Sequence, residues 1–395
     1  MPETAPTGGA PAERLIQAVE LAHRHARLDV AFAAALAQGR PQVVAAAGDQ
    51  ALLTADLVPR LCRALTAGEL PTLMPALDAF DGTAPPGTWL GVPLRYADGS
   101  VYGVLACFGR RTGRPLDQTD VEFLDYLAGT VTAELTHARR RLRWREELCE
   151  VIDREDLSIA CQPIIDLREE RVAGLEGLAR FSGGLRPDEA FAAARELGLG
   201  VELEALAIRQ ALDVLPHLSA NQYLSINVSP GVALRLAREG EDLDRLPFRR
   251  VVLELTENTA VDSYPELRSE LDPLRLKGLR LAIDDAGAGY SSMRHIVEFR
   301  PDFIKVDRSL VQGVAADRAR RMAISSFVLL ALDSGAKTVA EGVETYDDLS
   351  ALLDLGIDAA QGYLLGRPSS DPTCIAGWSR SARTPVTCTP LSRAT

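Results

Sequence analysis

Between Ile159 and Gly362 the chain repeats one unit, a short apolar β-rich run followed by a longer stretch with helical spacing. The runs are Ile159–Ile165, Val172–Leu178, Tyr223–Val228, Val251–Leu255, Leu279–Ile283, Phe303–Val306, Thr338–Ala340 and Ala359–Gly362. Helical patterns such as Val201–Leu215, Tyr264–Leu276 and Ala319–Asp333 fall between most of them. Continuous apolar runs of this length read as strands buried on both faces, and 3.6-residue periodicity reads as covering helices. Eight strands alternating with helices over about 200 residues predict an α/β fold, a TIM-like (β/α)8 barrel.

Polar residues gather where these runs stop: Glu176, Asn227, Glu254 and Glu257, Asp284 and Asp285, Lys305 and Asp307, Glu341, and Gln361. Any one of them alone reads as an ordinary helix N-cap or turn former. Six strand ends carrying Glu, Asp, Asn or Lys are different, because a barrel brings its strand ends to one mouth. Carboxylates crowded there repel one another, so either their pKa values rise or cations neutralise them. An oxygen-rich set with an amide and almost no Cys or His selects hard ions, Mg2+ or Mn2+. Formal net charge is -12, which argues against a nucleic-acid or anionic-membrane surface and leaves bound metal to supply local positive charge. Of 43 basic residues only Lys277, Lys305 and Lys337 are lysine, and Lys305 alone lies inside an apolar run.

Several stretches resemble the EAL family of cyclic di-GMP phosphodiesterases. They are Gln162-Pro163-Ile164, Glu176-Gly177-Leu178-Ala179-Arg180, Asn227-Val228-Ser229, and Glu254-Leu255-Thr256-Glu257. Further on come Asp284-Asp285-Ala286-Gly287-Ala288-Gly289-Tyr290-Ser291-Ser292, Lys305-Val306-Asp307, Glu341-Gly342-Val343-Glu344 and Gln361-Gly362-Tyr363. The resemblance implies metal-dependent hydrolysis of cyclic di-GMP to linear pGpG. It implies a first metal held by Glu176, Asn227, Glu254 and Asp284, and a second held by Asp284, Asp285 and Glu341. Lys305 would touch the attacking water and the developing phosphate charge, and Glu341 would take or relay the proton. Arg180 would fork onto a phosphate oxygen, Gln162, Leu178 and Gln361 would shape the substrate groove, and Glu257 would steady the loop from Asp284 to Ser292. The chain departs from the family at Gly177, where alanine is usual, at Ala286, where phenylalanine is usual, at Ala288, and in a shortened stretch from Phe181 to Pro187. A cyclic di-GMP receptor that binds without cutting is the alternative reading, and a structural barrel serving as a scaffold is a third.

Ahead of the barrel, residues 13–120 mix an amphipathic helix (Leu15, Val19, Ala22) with β-like runs Val30–Ala34, Val43–Ala47, Trp89–Tyr96 and Val101–Phe108. The last two flank Ala97-Asp98-Gly99, a hairpin signal. This α+β segment resembles the GAF family through Gly68-Glu69-Leu70-Pro71, Gly91-Val92-Pro93-Leu94 and Gly103-Val104-Leu105-Ala106-Cys107. Such domains hold small molecules or dimerise; Cys62, His23 and His25 are types that attach haem or bilin, but lone residues of these types are more often core or surface, and the sequence identifies no ligand. Leu124, Leu127, Val131, Leu135, Ala138 and Leu142 form a helical stripe, read as a connector over 121–147 that pairs two copies in a homodimer. The phosphodiesterase segment then covers 148–369, with Pro-, Ser- and Thr-rich tails at 1–12 and 370–395 expected to be disordered. Six scattered cysteines without a Cys-x-x-Cys pair read as reduced thiols. No signal peptide or bilayer-spanning run is found, so a cytoplasmic protein is expected. Nothing in the chain resembles a GGDEF synthase domain.

Overall fold

The structure, a computed structural model, describes residues 10–37, 40–74, 87–109, 115–239, 247–255, 263–288 and 292–380. The chain divides into two compact units, Met1–Arg143 and Trp144–Thr395. No helix among the described residues is long and apolar enough to cross a membrane.

The first unit holds helices α1 (Ala10–Ala26), α2 (Leu57–Ala67) and the start of α3 (Gln118–Arg154). Its strands are β1 (Val30–Ala37), β2 (Arg40–Gly48), β3 (Leu73–Met74), β4 (Thr88–Arg95) and β5 (Val101–Gly109). They form one antiparallel sheet in the order β2-β1-β5-β4-β3. Period-2 alternation splits its side chains. Ala31, Ala33, Ala35, Val92 and Leu105 pack with α1 and α3, whereas Phe32, Trp89, Val104 and Phe108 pack with α2. The hairpin signal at Asp98-Gly99 is a turn: Ser100 N donates to Asp98 Oδ1 at 2.9 Å, and Gly99 takes φ +82°.

Helix α3 is longer than the stripe suggested. Leu124, Leu127, Val131 and Leu135 are buried in the first unit, and Trp144, Leu148 and Val151 in a core of the second. Leu142 is 62% exposed, so the stripe ends before it.

The second unit is a closed eight-stranded barrel. Its strands are β6 (Leu157–Asp166), β7 (Arg171–Phe181), β8 (Tyr223–Val228), β9 (Val251–Leu255), β10 (Arg280–Ala286), β11 (Phe303–Val306), β12 (Lys337–Ala340) and β13 (Ala359–Ala360). Helices α4 (Pro187–Leu197), α5 (Gly200–Leu212), α6 (Pro230–Glu239), α7 (Tyr264–Leu276), α8 (Ser292–Phe299), α9 (Arg308–Val311), α10 (Arg318–Ser334) and α11 (Tyr346–Leu355) lie between strands. The β/α rhythm has one departure. β6 runs antiparallel to both β7 and β13, and every other pair is parallel. Only Leu167–Glu170 separate β6 from β7, too short for a crossover helix, so the chain turns back as a hairpin.

One periodicity places the site. Ile164, Tyr223, Val252, Ala282, Phe303, Val339 and Ala359 form an apolar layer inside the barrel. Side chains two residues apart share a face of a strand. Two residues beyond members of this layer come Gln162 (along antiparallel β6), Ser225, Glu254, Asp284, Lys305, Glu341 and Gln361. The intervening residues Leu224, Leu253, Ile283, Ile304 and Ala340 face outward into the core under the helices.

Two expectations about the ends are corrected. Helix α1 begins at Ala10, inside the stretch read as a tail. Residues 372–380 form helix α12 (Pro372–Arg380), and Cys374, Ile375 and Trp378 are buried in the barrel's main core. Ser- and Thr-rich composition hid three apolar side chains on one helical face; residues 381–395 lie outside the described set. Cys62, Cys107, Cys149 and Cys161 are free.

Two glycines on β7 give opposite expectations. A Cβ on Gly174 would lie 2.6 Å from the Tyr223 ring, inside the barrel, so Gly174→Ala is expected to cost about 1–3 kcal/mol. A Cβ on Gly177 would meet Ile159 and Ala211 at 3.5 and 3.6 Å, ordinary contact, so Gly177→Ala should add about 0.4–1 kcal/mol. Thermal denaturation of both variants checks the pair; a fall in Tm for Gly177→Ala would contradict the packing described.

Candidate active site

Lys305 stands at the centre of the barrel mouth, its side chain 2% exposed. Its Nζ lies 2.9 Å from Glu254 Oε2, 2.8 Å from Asp284 Oδ1, 2.6 Å from Glu341 Oε1 and 3.7 Å from Glu176 Oε1. The four carboxylates come from β7, β9, β10 and the residue after β12. Burial alone would lower the ammonium's pKa, but Asp284, Glu176, Glu254 and Glu341 together hold it well above its ordinary value. One cation does not balance four anions. Burial, aided by Glu176 and Asp284, pushes Glu254 up to about 8 against the pull of Lys305. Glu341 is also raised well above its ordinary value, again by burial first and against Lys305.

Neutral donors complete the inner ring. Ser225 Oγ donates to Glu254 Oε1 at 2.5 Å, and Asn227 Nδ2 donates to Glu176 Oε1 at 3.0 Å. Gln361 Nε2 donates to Glu176 Oε2 at 2.6 Å and to Gln162 Oε1 at 2.9 Å, while Gln162 Nε2 donates to the Gly366 carbonyl at 2.9 Å. Gln162 and Gln361 are both buried; Gln361 holds Glu176 directly, and Gln162 braces Gln361.

Asp284 and Asp285 are consecutive, and on a regular strand they would point to opposite faces. The pairing of β10 with β11 is irregular between Ile283 and Ala286, and Asp285 takes φ +54°, so the strand bends at these residues. One carboxylate oxygen each from Asp284, Asp285 and Glu341 lies within 4.8 Å of the others. Asp284 Oδ1 is buried and, although in charge contact with Lys305, accepts no aligned hydrogen bond. Three carboxylates that can each offer one oxygen to a common point fit a hard divalent cation.

Beside the cluster lies a cavity of about 330 Å³ lined by Leu178, Arg180, Asn227, Asp284 and Asp285 among others. Arg180 is half-buried, and its Nη1 donates to the Ala179 carbonyl at 2.8 Å. Asp307 is the N-cap of α9, accepting from Ser309 N at 2.9 Å. Glu257 lies outside the described residues.

Two buried polar residues escaped the sequence reading. Ser225 sits two positions before Asn227 on the same face of β8, so alternation alone was enough to find it. Glu204 lines the same cavity from α5, and its Oε2 accepts from Ser229 N at 2.8 Å; an acid inside an apolar helical stripe gave no motif to read. Burial raises its pKa. In the first unit, Cys62 is fully buried, with its thiol pushed up to about 12 by burial. His25 Nε2 hydrogen-bonds Asp120 Oδ1 at 2.8 Å and its ring stacks on Phe123, whereas His23 sits half-buried on α1.

Residues 145–368 match the EAL domain family, and residues 8–135 match the GAF domain family. The cyclic di-GMP phosphodiesterase PdeL of Escherichia coli (strain K12) is 32% identical over 234 residues, 56% of this chain and 65% of PdeL. The cyclic di-GMP phosphodiesterase PdeB of Shewanella oneidensis is 30% identical over 249 residues, 60% of this chain and 29% of PdeB. The chain thus spans less than two thirds of these curated relatives. Among solved structures, the PaMucR phosphodiesterase in complex with c-di-GMP superposes with TM-score 0.51 at 28% identity, covering 57% of this chain and 97% of that one. The EAL enzyme Bd1971, bound to cAMP and cyclic di-GMP, shares the fold across 89% of this chain and 93% of its own, with TM-score 0.57 and 17% identity.

A carboxyl that holds its proton more tightly folded than unfolded adds stability only while that proton stays on. Glu254, raised from 4.5 to about 8, therefore makes the chelator-treated protein less stable as pH rises across that window, and Glu341 acts in the same direction. One such group gives on the order of 1 kcal/mol per pH unit at its steepest, roughly a few degrees in Tm. Melting curves from pH 5 to 8 should show this fall, Glu254→Gln should flatten it, and Mg2+ should reverse it. A flat profile in the chelated wild type would contradict the electrostatics above.

Proposed function

The chain belongs to the EAL family, and on that premise we propose that its barrel hydrolyses cyclic di-GMP to linear pGpG using two divalent cations, Mg2+ or Mn2+. The observation that carries the reading is the convergence of Glu176, Glu254, Asp284 and Glu341 on one buried ammonium, with Asp285 beside them. Glu176, Asn227, Glu254 and Asp284 would hold one cation, and Asp284, Asp285 and Glu341 the other. The bound cations supply an activated water and neutralise the phosphate that it attacks.

The chain's own residues do the rest. Leu178 and Arg180 line the cavity next to the acidic ring, where Arg180 would orient a phosphate oxygen by paired N–H donation. Lys305 offers a compact ammonium to the attacking water and to the charge that grows on the phosphoryl oxygens, a point contact that a planar guanidinium fits poorly. Glu341, at 18% the most exposed of the four carboxylates around Lys305, would accept the proton and pass it to solvent. Gln361 and Asn227 fix the Glu176 carboxylate from two sides, so its geometry is set before substrate arrives.

The reading as a receptor that binds without cutting rests on Ala286 and the short stretch from Phe181 to Pro187. Ala286 is fully buried beside Val306 on β11, and Asp284 and Asp285 still reach the cluster ahead of it. The ring of acids is complete, which supports cutting over binding alone. For the GAF domain we propose a regulatory part, transmitted along α3.

Turnover of cyclic di-GMP by the purified chain, read as pGpG on an anion-exchange column, tests the reading. Mg2+ or Mn2+ should switch it on and chelator should switch it off. Glu176→Ala is expected to lower kcat by about 10²-fold or more, and Lys305→Arg by a similar factor despite its retained charge. Tight binding of cyclic di-GMP with no pGpG would sink the enzyme and favour the receptor. Regulation is checked by comparing the full chain with residues 144–395. A several-fold difference in kcat is expected, and equal rates would remove the GAF domain from control.

A further inference from the structure

Lys305 touches both halves of the acidic ring at once. Glu254, Asp284 and Glu176, at 2.9, 2.8 and 3.7 Å from Nζ, belong to the set assigned to one cation, and Glu341, at 2.6 Å, belongs to the set assigned to the other. An ammonium has three N–H donors. Four carboxylates face them, Glu254 Oε2 accepting one at 2.9 Å, and only 2% of the side chain is exposed. The arrangement is that of a cation in an oxygen cage. The spacing is that of an ammonium, whereas Mg2+ draws its oxygens in to about 2.0–2.1 Å.

We infer that Lys305 is the built-in counter-ion of the metal-free barrel, and that its ammonium competes with divalent metal for the same carboxylate oxygens. This rests on the reading that the ring takes divalent cations, and it goes further by giving one side chain two successive partners. Two positive charges do not share this buried cage without strong repulsion, so metal entry drives Nζ off the oxygens that it holds. The donors released point into the mouth and become available to a phosphoryl oxygen. A guanidinium, rigid and planar, has no compact position among four carboxylates and no small step away from them. That is a physical reason for a lysine here in a chain whose other basic residues, apart from Lys277 and Lys337, are arginine.

The three lysines make the inference measurable without any assay of activity. In the full chain grown with 13C-labelled lysine, three side-chain ε-methylene signals are expected, assigned through Lys277→Arg and Lys337→Arg. Titration with Mg2+ should move the Lys305 signal saturably and leave the other two in place. A Lys305 signal unmoved at saturating Mg2+ overturns the competition. Calorimetric titration with Mn2+ gives an independent reading: Lys305→Met should bind at least tenfold more tightly than wild type, because its carboxylates have lost their internal cation. Equal or weaker binding overturns the inference. The NMR titration, on wild-type side chains at the site, keeps it testable even where Lys305→Met fails to fold. Mn2+ binding to neither protein would remove this inference together with the metal reading, whereas equal binding to both, with pGpG still formed, removes this inference alone.

Discussion

A single buried ammonium facing four carboxylates sets the terms for the whole barrel. Charges removed from water cost several kcal/mol each unless they are paired with good geometry and their remaining lone pairs are satisfied. Lys305 supplies the pairing, and Ser225, Asn227 and Gln361 supply hydrogen bonds to Glu254 and Glu176. None of these partners is local in sequence: Gln361 reaches Glu176 across 185 positions. Only a closed sheet that fixes the height of every strand relative to its neighbours brings them within 3 Å. The register is therefore part of the chemistry, since a one-residue slip would turn Glu254 outward into the helices and bring Leu253 or Leu255 inside.

The same register explains how much of the site was legible. Each apolar run announced a strand, and the polar residue closing it announced the mouth. The limits Tyr223–Val228, Val251–Leu255 and Phe303–Val306 coincide with the observed strands. These strands are buried on both faces, so their sequences are apolar apart from the positions that face the mouth, Ser225 and Asn227, Glu254 and Lys305. What stayed hidden lacked that contrast. Ser225 is small and sits inside an apolar run. Glu204 belongs to a helix whose stripe it interrupts without breaking it. Trp378 lies in a segment whose composition is that of a disordered tail, yet a few apolar residues on one helical face were enough to dock it. The reversed direction of β6 follows from the four-residue gap before β7, a question of chain length that residue pattern alone does not pose.

The backbone at Asp284 and Asp285 shows the same economy by a different device. A strand presents alternate residues to one face, so two adjacent carboxylates in one site require a break in the pleat. The irregular pairing with β11 and the left-handed Asp285 provide it, and such a conformation in a non-glycine residue persists only when its surroundings enforce it. Ala286 and Gly287 follow directly. A Cβ at Gly287 would lie 2.3 Å from Leu310, so the turn runs hard against α9. The missing phenylalanine ring therefore leaves a segment confined from below by Val306 and from the side by Leu310.

Function at one end of the barrel is offset by stability at the other. At the opposite end, the Arg250 guanidinium donates to the carbonyls of Leu215, Leu218, Ser219 and Gln222, tying the turn before β8 to the start of β9. Arg280 lies over the rings of Tyr223 and Phe303, closing the apolar layer from below. Arg250 meets neutral carbonyls, and Arg280 meets aromatic faces and the charge of Asp302, so neither cation is outnumbered by carboxylates. At the mouth, by contrast, carboxylates outnumber the ammonium, and burial, with Glu176 and Asp284, pushes the Glu254 carboxyl up to about 8. Proteins keep such local conflict where a ligand resolves it. A ring of acids that stays unbalanced until a cation arrives is poorly suited to holding a barrel together and well suited to binding what it lacks.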